Sequence, residues 1–359
     1  MNLQFHLWDA GNAENRQAWA DLWAQWPDRE VFAHPDYVRL YAKAGQRALC
    51  AAATNGESGV LYPLILRNLG AEPYGVGTLR DATDLITPYG YGGPFCWGAP
   101  FSGEAAAEFW RQFDAWAVKA QVVSEKASFS LFAESLLCYP GEQRVVSENV
   151  VRSLRCSEEE MLHNFEYKVR KNIKNARAKG VTVEVDERGE RLDEFLTIYL
   201  GTMQRRNARE AYYFSRAYFE SILTDLKGQF VFLHARAGGA IISTELVLVS
   251  ARRVYSFLGG TDAEWFHVRP NDLLKVEIMN WARSAGKSEF VLGGGSSRGD
   301  GIYRYKLSFA PEGSMPFSIG CRIHDVGAYE QLVQNRRLLA EGSSEAWQPN
   351  PELFPAYRS

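Results

Sequence analysis

The residues of this sequence that could do chemistry fall in three stretches. In the first, Lys168, Arg170, Lys171, Lys174, Arg177 and Lys179 follow one another with no acidic residue after Glu166. Like charges three and four residues apart repel along a helix. A run of one sign is therefore either a solvated face or a surface that receives an anion, and both readings stand on the residues alone. In the second stretch, the apolar residues 290–292 run into Gly293-Gly294-Gly295-Ser296-Ser297-Arg298-Gly299-Asp300-Gly301 and on to Tyr303-Arg304-Tyr305-Lys306. A buried strand that ends in glycines can bring backbone N–H groups against a ligand, and the same glycines permit a mobile loop. The third stretch, residues 70–101, is rich in Gly, Pro and Tyr and holds Tyr74, Asp81, Asp84, Tyr89 and Tyr91. Gly and Pro impose irregular backbone there. A loop of that length is functional or disordered, and its aromatic content disfavours disorder.

Several chemistries find no support. Gly75-Val76-Gly77 is not a dinucleotide fingerprint, because Arg80 stands where its third glycine belongs and no βαβ pattern surrounds it. His6, His34, His163, His234, His267 and His324 show no H-E-x-x-H or paired spacing, so no metal site is expected. Cys50, Cys96, Cys138, Cys156 and Cys321 are scattered with no C-x-x-C pair, which reads as reduced thiols in a cytoplasmic protein. The formal net charge of −3 supplies no global field toward nucleic acid or an anionic membrane. The N-terminal residues lack a signal-peptide pattern, and no apolar run reaches the roughly 18 residues of a spanning helix, so no integral membrane association is expected.

The elements that must position these residues come in duplicate. An aromatic helix at 15–25, Phe32-Ala33-His34-Pro35-Asp36-Tyr37, a strand at 48–53, the turn Asn55-Gly56 and a strand at 59–66 form the first copy. A helix at 192–206, Phe214-Ser215-Arg216-Ala217-Tyr218-Phe219, a strand at 230–235, the turn Gly238-Gly239 and a strand at 241–249 form the second. Each copy then has a Trp-Ala helix leading into a short strand, at 116–117 and 128–132 and again at 281–282 and 290–292. A repeat of over a hundred residues is a duplicated domain and not a solenoid, and 359 residues suit two domains. The boundaries expected are 1–150 and 151–314, with 341–359 a weakly ordered tail. Ser157 and Glu160 form a capping box that opens one helix closing at Gly180, with Met161, Leu162, Phe165, Val169, Ile173 and Ala176 on its buried face.

Strand-turn-strand, helix, and a strand running into glycines is similar to the GNAT acyltransferase core. The duplicated form resembles the Fem-type peptidoglycan-bridge aminoacyl transferases, and more closely their FemAB-like relatives found with polysaccharide biosynthesis. Four short motifs carry this over most of residues 1–335: Tyr89-Gly90-Tyr91-Gly92-Gly93-Pro94; Arg170, Ile173, Ala176 and Gly180; Leu292-Gly293-Gly294-Gly295; and Tyr305-Lys306. The resemblance implies an α/β (α+β) fold of tandem GNAT-like domains, each a mixed central sheet flanked by helices, with 315–340 returning to the first domain. It implies no coiled-coil arm, since 177–212 holds no extra heptad pair.

The activity implied is transfer of an acyl group, in the Fem enzymes an amino acid from aminoacyl-tRNA, onto an amine of a cell-wall or surface-polysaccharide precursor bound in the cleft between the domains. Lys306 then stabilises the tetrahedral oxyanion, an effect of roughly 3–4 kcal/mol. Tyr305 replaces the aromatic of the family's Phe-Lys pair. Gly293, Gly294, Gly295, Arg298 and Tyr303 line the approach, and Arg170, Lys171 and Lys174 hold phosphates of a nucleotide-linked or lipid-linked acceptor or of tRNA. Tyr74, Tyr89 and Tyr91 pack on acceptor sugar or peptide, with Asp84 accepting hydrogen bonds. No bound cofactor is expected, the donor being aminoacyl-tRNA or acyl-CoA. Against acyl-CoA, Arg269-Pro270-Asn271-Asp272 lacks the glycines of a pyrophosphate loop and puts an aspartate where phosphate would sit. An acyl-CoA-dependent N-acyltransferase on an amino sugar is one alternative, and a non-catalytic binding protein for a nucleotide-linked glycan or RNA is the alternative of another class.

Overall fold

The computed structural model describes residues 3–56, 58–98, 103–297, 299–342, 347–350 and 352–359. The elements begin β1 (Gln4–Asp9), α1 (Ala13–Gln25), α2 (Pro35–Arg39), β2 (Arg47–Thr54), β3 (Gly59–Asn68), β4 (Thr83–Ile86), β5 (Phe95–Trp97), α3 (Gly103–Lys119) and β6 (Val122–Ser128). They continue with β7 (Glu142–Ser153), α4 (Glu158–His163), α5 (Tyr167–Ala178), β8 (Thr182–Asp186), α6 (Leu192–Arg205), α7 (Arg216–Asp225), β9 (Phe230–Ala237), β10 (Ala240–Val249) and β11 (Arg253–Thr261). Last come α8 (Pro270–Ser284), β12 (Glu289–Gly293), α9 (Gly301–Leu307), β13 (Ser314–Ile323) and α10 (Val326–Gly342).

Two compact units divide the chain. Met1–Pro27, Phe32–Val146 and Phe317–Ser359 make the first, and Asp28–Val31 with Ser147–Pro316 the second. In the first, the strands lie in the order β1-β2-β3-β4-β6-β13, with β5 on β3. In the second, the order β8-β9-β10-β11-β12-β7 repeats that arrangement. In each, among the described strands, the parallel pair is the strand before and the strand after the long helix, β4 with β6 and β11 with β12. A parallel pair needs a crossover, which α3 and α8 supply. The tandem mixed α/β architecture is therefore two copies of one unit, and between Arg177 and Tyr212 the described residues form β8 and α6 with no helical arm.

Burial explains the long apolar runs. In β2 and β3 nearly every position is buried, and in β9 and β10 likewise, as expected for strands covered on both faces. In α1, Trp19, Leu22 and Trp23 are buried, each contributing about 1.5–3 kcal/mol by leaving water, and the Trp19 Nε1–H donates to the Ala33 carbonyl at 2.9 Å.

Three expectations are corrected. The irregular stretch 70–101 contains the sheet strands β4 and β5, too short to show a period. The helix expected over 157–180 is two helices. The capping box forms, with the Glu160 N–H donating to Ser157 Oγ at 3.1 Å and the Ser157 N–H to Glu160 Oε2 at 2.8 Å. The helix then breaks where Glu166 turns extended and its N–H donates to the Ser308 carbonyl at 2.9 Å. The expected tail partly lies outside the described residues, at 343–346 and 351, but its end is not loosely held: Tyr357 is fully buried, and Arg358 donates through Nε to Asp84 Oδ2 at 2.6 Å and through Nη1 to Glu72 Oε1 at 2.5 Å. Buried charge and a buried aromatic ring anchor these last residues against the first unit's own core.

Candidate active site

Strands β11 and β12 pair at only three positions, Arg253 with Glu289, Val254 with Phe290 and Tyr255 with Val291. Beyond them β11 runs on to Thr261 against β10, while β12 ends at Gly293 in a left-handed conformation, φ 83°, that a side chain would strain. The two strands part, and a cavity of about 850 Å³ opens in the second unit where they separate. Its walls come from the second half of β11, the end of α6 with Arg205 and Arg206, the start of α8 with Arg269, Asn271 and Asp272, and α9 with Tyr305 and Lys306.

Its floor is an ion pair. The Lys275 ammonium donates to Glu245 Oε1 and Oε2, both at 2.6 Å, and to Ser256 Oγ at 2.9 Å. Glu245 and Lys275 are 4% and 5% exposed, and a charge so buried is tolerated only with partners of this quality. On the wall, Asn271 Nδ2 donates to the Tyr305 hydroxyl at 2.8 Å, and Asn172 Nδ2 to Asp272 Oδ1 at 3.1 Å. Burial pushes the Asp272 carboxyl up, against the Asn172 bond and the charges of Arg269 and Lys168. Burial also raises the Tyr305 phenol well above its usual value, with the charges of Asp272 and Glu245 adding to it.

Lys306 is half-buried and donates to the Gly294 carbonyl at 2.7 Å. Burial, and after it the ammonium of Lys275, lower its pKa to about 8, while Glu245 and Asp300 pull the other way. The loop between β12 and α9 is closed by Asp300, whose Oδ2 accepts the Ser296 N–H at 2.7 Å and the Ser296 hydroxyl at 2.6 Å, and whose Oδ1 accepts the Tyr303 N–H at 2.8 Å. Those donors hold its carboxyl far below the usual range. A Cβ at Gly295 would stand 2.2 Å from Asp300 Oδ1, so only glycine admits this closure.

The residues predicted from sequence separate into those the fold brings here and those it places elsewhere. Tyr305 and Lys306 line the cavity. From the glycine run, Gly294 reaches Lys306 through its carbonyl, and Ser296, not Gly293, Gly294 or Gly295, is on the wall. Tyr303 turns inward, buried, with its hydroxyl 2.8 Å from Ser314 Oγ. Arg298 lies outside the described residues. On α5, Arg170 is committed to the chain itself: it donates through Nη1 to the His163 carbonyl at 2.8 Å and to that of Phe165, closing the corner between α4 and α5. Lys171 and Lys174 are exposed.

In the first unit, Asp84 is not a ligand-facing acceptor. It is fully buried, and Arg67, Arg358 and Tyr357 donate to its oxygens. Tyr74 is buried against Tyr357. Tyr91 packs edge-on to Phe32 and Phe317, whereas Tyr89 is 50% exposed. Sequence reasoning missed Glu245 and Lys275. The signal was available, since each is a charged residue set in an otherwise buried apolar run, of β10 and of α8.

With this geometry in view, residues 163–307 match the family model described as an acetyltransferase (GNAT) domain. No curated protein matches the sequence. Among solved structures, the chain is similar to FemX at 13% identity and a TM-score of 0.64, over 92% of this chain and 99% of that one. It is also similar to the C-terminal domain of a putative lysylphosphatidylglycerol synthetase from Agrobacterium fabrum, at 16% identity and 0.55 over 91% and 96%. L-PGS from Bacillus licheniformis follows at 12% and 0.52 over 90% and 96%. Residues 163–307 of the second unit thus match a GNAT acetyltransferase domain, which supports acyl transfer, and the chain carries the fold seen in FemX. Among the described residues no helix is long and apolar enough to cross a membrane.

Proposed function

We propose that the protein transfers an aminoacyl group from a charged tRNA to an amine of a nucleotide-linked or lipid-linked cell-wall or surface-polysaccharide precursor, in the cytoplasm, with Lys306 at the reaction centre. The observation that carries this reading is the cavity between the second half of β11 and α9, with Lys306 on its wall and Asp272 at the first turn of α8. Acyl transfer to an amine builds negative charge on the acyl oxygen, and a preorganised cation beside that oxygen lowers the barrier. A pyrophosphate needs free N–H groups at a helix start. Here Pro270 supplies none, and the Asp272 carboxylate sits in the first turn. That arrangement disfavours acyl-CoA. An aminoacyl donor brings an ammonium instead, and Asp272 and Asp300 on the cavity wall are carboxylates that could meet it, beside the cations Arg205, Arg206 and Arg269.

Labelled charged tRNA and labelled acyl-CoA, offered in parallel with cell-wall and amino-sugar precursors, test this. Transfer from tRNA, abolished in Lys306→Ala, is expected. Transfer from CoA alone would replace the donor, and unchanged turnover in Lys306→Ala would remove the lysine from the reaction.

A further inference from the structure

Lys275 and Glu245 have no part in that reading, yet they form the floor of the cavity Lys306 faces. A buried ion pair contributes little to stability, because desolvation offsets its attraction, so its placement calls for another account. Lys306 meets charge from several elements. Lys275 on α8, Glu245 on β10 and Asp300 at the start of α9 act on it most strongly. Further along the walls stand Asp272 and Arg269 at the start of α8 and Arg205 and Arg206 on α6. Tyr305 and Arg304 are on its own helix, and Asn149 of β7 stands behind Gly294.

We propose that Lys275 and Glu245, paired on the floor of the cavity that Lys306 lines, are an opposed pair of positioning charges for Lys306 as the proton acceptor of the transfer. This rests on the acyl-transfer reading above. The Lys275 ammonium disfavours a second ammonium in the same low-dielectric cavity. Glu245, held at 2.6 Å from Lys275, limits that push.

The steps balance. The acceptor ammonium gives a proton to neutral Lys306, and the freed amine forms a C–N bond at the acyl carbon while the carbonyl electron pair moves onto oxygen. Lys306, now an ammonium, faces that oxygen. When the carbonyl re-forms, the C–O bond to the donor's ribose breaks, the leaving oxygen takes the proton of Lys306, and the new amide nitrogen releases its extra proton to water.

Titration of Lys306 itself tests the pair without donor or acceptor. Trace labelling with acetic anhydride, followed on the Lys306 peptide by mass spectrometry from neutral to alkaline pH, reads its midpoint, and Lys306→Ala identifies the signal. The wild-type midpoint is expected at about 8. Glu245→Gln leaves the Lys275 charge uncompensated and lowers it by about one unit, whereas Lys275→Met leaves the carboxylate and raises it by about as much. Should Lys275→Met fail to fold, Glu245→Gln is compared with Glu245→Gln/Lys275→Met, in which both charges are gone, and is expected to titrate lower. Shifts in the same direction, no shift, or a wild-type midpoint at the ordinary lysine value of about 10.4 would overturn the proposal. Opposed shifts in a protein that transfers nothing from any donor would keep the tuning and remove the acyl-transfer reading.

Discussion

The Lys306 ammonium lies 2.7 Å from the carbonyl oxygen of Gly294, tying α9 to the glycine run that ends β12. The bond holds the lysine at the cavity wall, but the charge is held there against burial and against Lys275. A lysine whose folded pKa of about 8 lies below its unfolded value of about 10.4 binds fewer protons folded than unfolded between those values, so stability rises with pH across that window. Below it, the fold carries a charge it disfavours. Lys306→Met is therefore expected to stabilise the protein by about 1–3 kcal/mol at neutral pH, a gain that shrinks as pH approaches about 10. Urea unfolding at both pH values measures it, and lower stability of the variant at every pH would refute it. Transfer should fall in the same variant by about 10²–10³-fold.

Asp84 and Arg358 make the opposite case, a charged pair that holds the fold. Arg358→Ala removes the Nε donor at 2.6 Å and the contact with Glu72, leaving Asp84 to Arg67 and Tyr357. Breaking a buried pair on one side is expected to lower the stability of the first unit by about 3 kcal/mol. Lys306 labelling should be unchanged. A urea midpoint within error of wild type would show that the terminal segment contributes little.

Both cases bear on what the sequence could reveal. The duplication was readable because β2 with β3, and β9 with β10, are long apolar hairpins around Asn55-Gly56 and Gly238-Gly239. Strand β4, four residues long, left no period to read. The break between α4 and α5 has no Pro or Gly to announce it. It is made by the Ser308 carbonyl and the Arg170 guanidinium, neither of them a local signal. Tyr305 and Lys306 were found through the resemblance to the Fem-type Phe-Lys pair, since on its own residues a lysine there reads as a surface charge. Glu245 and Lys275 meet only once β10 and α8 are folded together, thirty residues apart. Asp84 and Tyr74 were misjudged because aromatic and acidic residues in a Gly-rich stretch read as exposed, whereas the last residues of the chain cover them.

Gly260 is where β11 lies close against α6 beside the cavity. A Cβ there would stand 2.3 Å from Thr202 Oγ1 and 2.9 Å from the Ile198 carbonyl oxygen, and the backbone contact cannot be relieved by a rotamer change. Gly260→Ala is expected to lower stability by about 1–3 kcal/mol through overpacking. Gly286→Ala has open space but a left-handed φ of 71°, so its penalty is backbone strain alone, about 1 kcal/mol. Thermal unfolding of the two, with Gly260→Ala the less stable, checks the assignment, and the reverse order would contradict it.

The basic helix α5 divides by partner, and the division predicts which charges are free to act. Arg170 serves two carbonyls, Arg177 pairs with Glu277 at 2.9 Å and Lys179 donates to the His267 carbonyl at 3.1 Å. The like-charge run is thus partly compensated from α8 and its approach. Lys171 and Lys174 are exposed, without an ion-pair or hydrogen-bond partner among the described residues. Arg170→Ala is expected to lower stability by about 1–3 kcal/mol, since a charged hydrogen-bond donor is lost from two carbonyls. Lys171→Ala with Lys174→Ala should leave stability within about 0.5 kcal/mol. If the two lysines meet phosphates, that double variant weakens tRNA binding and reduces the slope of log affinity against log salt by about 0.7–0.9 per lost contact. Filter binding of labelled tRNA over a salt series reads the slope. An unaltered slope would make the face of α5 a solvated surface and turn attention to cavity cations such as Arg206 and Arg269 for a polyanionic donor.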